Sequence, residues 1–171
     1  MKTSVLLFAA ALFAATSAFA QAPNDAQIAA IVVTANQVDV DAGKLAESKG
    51  ASADVRDFGK QMVTDHTAVN KQATDLAKKL KLTPEDNATS KSLKAEGDKN
   101  LAELKKLSGA AFDKAYIDHE IAYHEQVIGA IKSTLIPNAK NAELKQLLET
   151  GLPLFEGHLE HAKQIQSKQG K

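Results

Sequence analysis

The stretch from Gly109 to Leu135, GAAFDKAYIDHEIAYHEQVIGAIKSTL, constrains this chain more than any other. It contains no proline and is apolar at helical intervals. Ile117, Ile121, Ile128, Ile131 and Leu135 fall on one face, with His124 in their midst. Phe112, Tyr116, His119 and Tyr123 run beside them as a second stripe. A helix with two adjacent buried faces belongs inside a bundle, so other helices must surround it. An imidazole on its driest face needs a partner, because a buried polar group without one costs free energy.

The surrounding helices can be read in order. Asn24 as N-cap, with Gln27 in capping-box position, opens a helix over 25–49 that Gly50 closes. Its stripe is Ile28, Val32, Ala35, Asp39, Ala42 and Ala46. Ser52 caps a second helix reaching about Leu82 through Val55, Phe58, Met62, His66, Val69 and Ala73. So short a link makes these two an antiparallel hairpin. Thr83 and Pro84 read as the cap and first residue of another helix, ending near Leu107. Its thin stripe (Leu93, Leu101, Leu104, Leu107) and its lysines 91, 94, 99, 105 and 106 suit a helix lying across the outside of a bundle. Ser108 then caps the central helix, which Pro137-Asn138 ends. A last helix spans Ala139 to Gln166 through Leu144, Leu148, Phe155, His158 and Ala162, with Gly151 and Pro153 expected to bend it. No segment has strand periodicity.

Composition narrows the setting. The first residues, MKTSVLLFAAALFAATSAFA, carry a basic start at Lys2, a short apolar run and the small-residue site Ala18-Phe19-Ala20. They read as a signal peptide over 1–20, cleaved to leave 21–171 as one domain exported to the periplasm or secreted. The run is shorter than the roughly 20 residues a membrane span needs, so no span is expected after cleavage. The 171-residue chain has 21 basic and 21 acidic residues, and cleavage removes one Lys. Near-neutral charge gives no reason to expect nucleic acid as a partner. Cysteine is absent, which excludes disulfides and lipid attachment at a thiol and leaves stability to packing. Oligomeric state is not legible.

Two hairpins joined by about 25 residues of surface helix define a ferritin-like four-helix bundle, in which a long crossover lets the third bundle helix start at the same end as the second. The runs FGKQMVTDHTAVN, LSGAAFDKAYIDHEIAYHE and TGLPLFEGHLEHA resemble, in order, a secreted bacterial family of ferritin-like domains of unknown function. Its members often carry outer-membrane labels. The resemblance implies the all-α bundle and a carboxylate at Asp39, and it implies no activity.

Each of three helices places one histidine inward: His66, His124 and His158. His66 lies 15 residues past Ala51 and His124 lies 15 past Gly109, so in the crossover topology they share a level. Asp39 falls about 6 Å from that level, and His158 misses it by about 12 Å, so that His119 matches His158 better. Glu120, one turn before His124, is a ligand or the acceptor that orients it. These side chains are the ligand types for Zn, Cu, Ni or Fe, and His158-x-x-His161 is a further spacing that can hold one ion. Asp65 and Asp118 point off the stripes toward solvent. No Glu-x-x-His occurs, which removes the di-iron pattern of ferritin-like bundles. No G-x-S-x-G, phosphate loop or cysteine nucleophile occurs either, which points away from an enzyme. Two readings stand. One is a non-enzymatic envelope or stress-associated protein that binds a protein partner and uses a buried His/carboxylate network to fix its helix register. The other is divalent transition-metal storage, buffering or delivery through Asp39, His66, Glu120, His124 and His158.

Overall fold

The computed structural model describes residues 22–169, and the leader read at 1–20 lies outside them. The described chain is helical, in the order α1 Asp25–Lys49, α2 Ala53–Lys79, α3 Ala88–Lys106, α4 Gly109–Ala130, α5 Ile136–Asn138 and α6 Ala142–Gln169. None of these helices is long and apolar enough to cross a membrane. The capping box at Asn24 and Gln27 and the Ser52 cap both form as the sequence requires. Glycines let α1 and α2 approach until their backbones touch. A Cβ on Gly43 or Gly59 would sit 2.7 Å from the other's carbonyl oxygen.

Two helix starts, and the capping of a third, differ from the sequence reading. The segment after α2 stays non-helical past Thr83 and Pro84, and α3 is capped by Asn87 with Ser90. The cause is tertiary: Glu85 N–H donates to Ala26 O, and the Asn87 amide to Gln27 O, tying the segment to the start of α1. Ser108 occupies the N-cap position of α4 but its side chain makes no capping bond. The last helix begins at Ala142, not Ala139, because Asn141 Oδ1 accepts from the Glu143 and Leu144 amides. It continues through Pro153.

Hydrogen bonds at the two ends trace the path. Near the start of α1, Asp25 accepts from the Lys140 and Asn141 amides of the α5–α6 turn at 2.8 and 2.9 Å. Asp113 of α4 does the same at the other end, taking the Ala51 and Ser52 amides at 2.8 Å each. The α3 helix leaves the Asp25 end and reaches the other, where Lys49 Nζ donates to Lys105 O. Thus α2 and α4 start together and run parallel, with α3 as the crossover outside α1. Just past α4, residues Ile131–Leu135 form a π turn in which Ile136 N–H reaches back to Ile131 O. Pro137 follows, and its missing N–H and its ring disfavour a regular last turn.

The buried apolar residues divide into two clusters. One, at the Asp25 end, includes Ile31, Val32, Ile131, Leu135, Leu148 and Phe155. The other, at the Asp113 end, includes Val55, Phe58, Met62, Phe112, Tyr116 and Ile165. On each of the four bundle helices the sequence between the two clusters supplies a buried polar residue: Asp39, His66, Glu120 with His124, and His158. A polar layer therefore divides the core.

Candidate functional site

Each imidazole of the layer is held at one ring nitrogen. His66 Nδ1 donates to Asn36 Oδ1 at 2.8 Å and lies 3.4 Å from Asp39 Oδ2. The Asn36 amide is oriented by its own donation to Val32 O at 2.8 Å, so the oxygen faces the ring. His124 Nδ1 donates to the backbone carbonyl of Glu120 at 2.9 Å, one turn earlier. His158 Nε2 donates to Asp65 Oδ2 at 2.9 Å. These bonds fix the tautomers, because a neutral imidazole that donates from one nitrogen carries its lone pair on the other.

The other nitrogens, His66 Nε2, His124 Nε2 and His158 Nδ1, are buried and have no hydrogen-bond partner among the described residues. The rings converge, with centroids 5.6 Å apart for His66 and His124, 5.1 Å for His66 and His158, and 5.5 Å for His124 and His158. One ring nitrogen of each lies within 4.8 Å of those of the other two. Asp39, Glu120 and His124 meet the same limit with one ligand atom each. Asp39 Oδ1 and both Glu120 oxygens also lack partners among the described residues.

Burial sets the protonation of these groups. It depresses His66 well below the ordinary histidine value, with His124 and His158 adding to the effect. It lowers His124 to about 4 and lowers His158, where Asp65 pulls the other way. The same burial raises Asp39 well above the carboxylate range, with Glu120 contributing, and pushes Glu120 up to about 8. Burial thus favours neutral imidazoles, and at neutral pH Glu120 keeps its proton, with Asp39 shifted in the same direction.

The level shared by His66 and His124 agrees with the sequence. His158 does not: it joins them, and the 12 Å gap does not exist. With α4 and α5 carrying the chain to Asn138 and α6 starting at Ala142, His124 and His158 lie nearly equal distances from the turn. His119 is not its partner but stacks on Tyr123, ring centroids 5.7 Å apart. His161 turns away, with Nδ1 on Gln61 Oε1 at 3.0 Å and its ring edge against Phe58. Asp65, read as solvated, is 28% exposed and engages His158. Asn36 was missed altogether, although an amide one turn before Asp39 in an apolar run was a signal. Asp118 pairs with Lys114 at the surface as read.

These features define an all-α bundle with a convergent, buried His/carboxylate layer. The chain belongs to the family described as Domain of unknown function (DUF4142), which matches residues 10–165. No curated protein and no solved structure matches it.

Proposed function

We propose that this protein binds one divalent transition-metal ion in the polar layer through His66, His124 and His158, with Glu120 or Asp39 completing the donor set, and that it does so as an exported storage, buffering or delivery protein. The observation that carries this is a trio of buried imidazoles that bring one ring nitrogen each within 4.8 Å of the other two, while every ring also keeps one buried nitrogen without a partner among the described residues. A network serving only to fix register gains by pairing such atoms with each other or with the backbone, since each unpaired one costs about 1–3 kcal/mol. Here each ring instead has one nitrogen anchored to an amide oxygen, a backbone carbonyl or a carboxylate, as in metal sites where outer acceptors orient the ligands. Three nitrogens plus carboxylate oxygen suit Zn, Cu, Ni or Fe. Export rests on the leader at 1–20. For the partner-protein reading, Leu154 is the one large apolar side chain exposed among the described residues.

The test is elemental analysis of the purified protein, then melting of metal-free protein with and without Zn²⁺, Cu²⁺ and Ni²⁺. Metal that binds the folded state alone, at about 1,000 times its Kd, adds about 4 kcal/mol and raises Tm by on the order of 10 °C. The His66→Ala/His124→Ala double variant should lose the ion and the shift. Equal metal content and equal shifts in both proteins would overturn the proposal.

A further inference from the structure

The apolar cluster at the Asp25 end is hollow. It surrounds a cavity of about 440 Å³ bounded by residues from α1, α2, α3, α4 and α6. Close-packed interiors seldom leave a void larger than a water molecule, and a cavity of roughly 150 Å³ already accepts benzene. This one falls within the range of about 300–1,000 Å³ typical of small-molecule sites. Ala22, Pro23 and Asn138 stand at its outer end, beside the start of α1, and Asn36, Asp39, His66 and His124 at its inner end.

We propose that the cavity binds an uncharged lipophilic alcohol or phenol, its apolar body filling the cavity and its hydroxyl reaching the polar layer. The walls between the ends are mainly Ile, Val, Leu and Phe side chains such as Ile31, Leu93, Val127 and Phe155, with Thr89, Gln126 and Thr134 also on them. Among the described residues that line the cavity there is no Lys or Arg, so nothing on its walls neutralises a carboxylate, sulfate or phosphate head group. Asp39 is the one acid on the wall, and it offers an anion no positive charge. A wholly apolar ligand would leave the inner end as it is, with His66 Nε2 and His124 Nε2 lacking a donor and Asp39 Oδ1 lacking a partner. A hydroxyl supplies a donor to an imidazole lone pair and can accept in return. The size admits two or three fused rings or an alkyl chain of similar bulk. The π turn at Ile131–Leu135 contributes Ile131, Thr134 and Leu135 to the wall, so the local widening of the helix helps to shape the cavity.

At its inner end the hydroxyl uses imidazole lone pairs that the proposed metal ion would also take, so the two compete there, and the site is tested on chelator-treated protein. Binding of 1-naphthol, naphthalene and 1-naphthoate to the metal-free protein is measured by calorimetry and by naphthol fluorescence. One 1-naphthol per chain should bind, about tenfold or more tightly than naphthalene or 1-naphthoate, as expected when a site built to pair a hydroxyl meets an analogue without one. Two substitutions fill the cavity independently, Gly151→Leu and Ala130→Leu. A Cβ on Gly151 meets only Phe155 ring carbons, at 3.6 and 3.9 Å, and so is accommodated. Whichever variant melts cooperatively should bind 1-naphthol about tenfold more weakly. The proposal fails if wild type shows no 1-naphthol binding, if naphthoate or naphthalene binds equally well, or if a folded filling variant binds undiminished.

Discussion

Glutamine in place of Glu120 keeps the shape of the side chain and removes its acid. Both oxygens of Glu120 are buried without partners among the described residues, and burial holds its pKa near 8 against an ordinary 4.5. In the unfolded chain the same carboxyl ionises from pH 4.5 upward. Between 4.5 and 8 the folded state therefore retains a proton that the unfolded state has released, so stability falls as pH rises through that window. The slope is about 1.4 kcal/mol per pH unit for one group, and at pH 7 the accumulated loss is about 3 kcal/mol. Glu120→Gln has no such term. Metal-free Glu120→Gln should be more stable than wild type by about 3 kcal/mol at pH 7, a rise in Tm on the order of 10 °C, with the two converging near pH 4.5. Urea denaturation of both proteins at several pH values between 4.5 and 8 measures the difference directly. A variant less stable than wild type at pH 7 would mean that Glu120 is ionised and paired in the folded state, which would refute a proton held there by burial. A gap that does not shrink toward pH 4.5 would refute it as well.

Three further outcomes follow from the same geometry. Asp65→Ala removes the acceptor that orients His158, and Zn²⁺ affinity by competition with a chelator should drop about 10- to 100-fold with the fold intact. Because Glu120 must shed its proton to bind metal, Zn²⁺ affinity should rise as pH increases up to about 8 and level off above it; a profile flat from pH 6 to 8 would show that the imidazoles, with His124 near 4, bind without that carboxylate. Asp113→Ala leaves the Ala51 and Ser52 amides without their shared acceptor and should cost about 2–3 kcal/mol in chemical denaturation, with metal content unchanged.

The helices and their order were legible because their signals are local: caps at Asn24 and Ser52, and apolar spacing along 109–135. The pairing of His66 with His124 was legible for a related reason, since they lie 15 residues past Ala51 and Gly109, which share one end of the bundle in a crossover topology. What failed depended on tertiary contact. Thr83-Pro84 and Asn87 are both plausible helix starts, and the choice is made by bonds to Ala26 and Gln27, which local sequence does not encode. The level of His158 hinged on a turn whose length is set by Asp25 reaching across to Lys140 and Asn141. Asp65 adjoins an inward histidine and so reads as outward, yet α2 and α6 pack closely enough for it to meet His158 at their seam. The cavity had no signal at all, because most of the residues around it are ordinary apolar core residues.

The energetics of the layer explain why it stands where the two apolar clusters meet. Three unpartnered ring nitrogens at about 1 kcal/mol or more each, with about 3 kcal/mol for the protonated Glu120, come to several kcal/mol. That is a large part of the roughly 5–15 kcal/mol by which a domain is typically stable. A hollow cluster on one side of the layer adds to the cost, since dispersion contacts are lost across the void. The Asp113 end can bear this load: it has Phe58, Met62, Phe112, Tyr116 and Ile117 fully buried, two glycines that close α1 on α2, and an anchored turn. Stability is thus concentrated in one half of the bundle and given up in the other. Such a division is what the proposed binding sites would require of this fold.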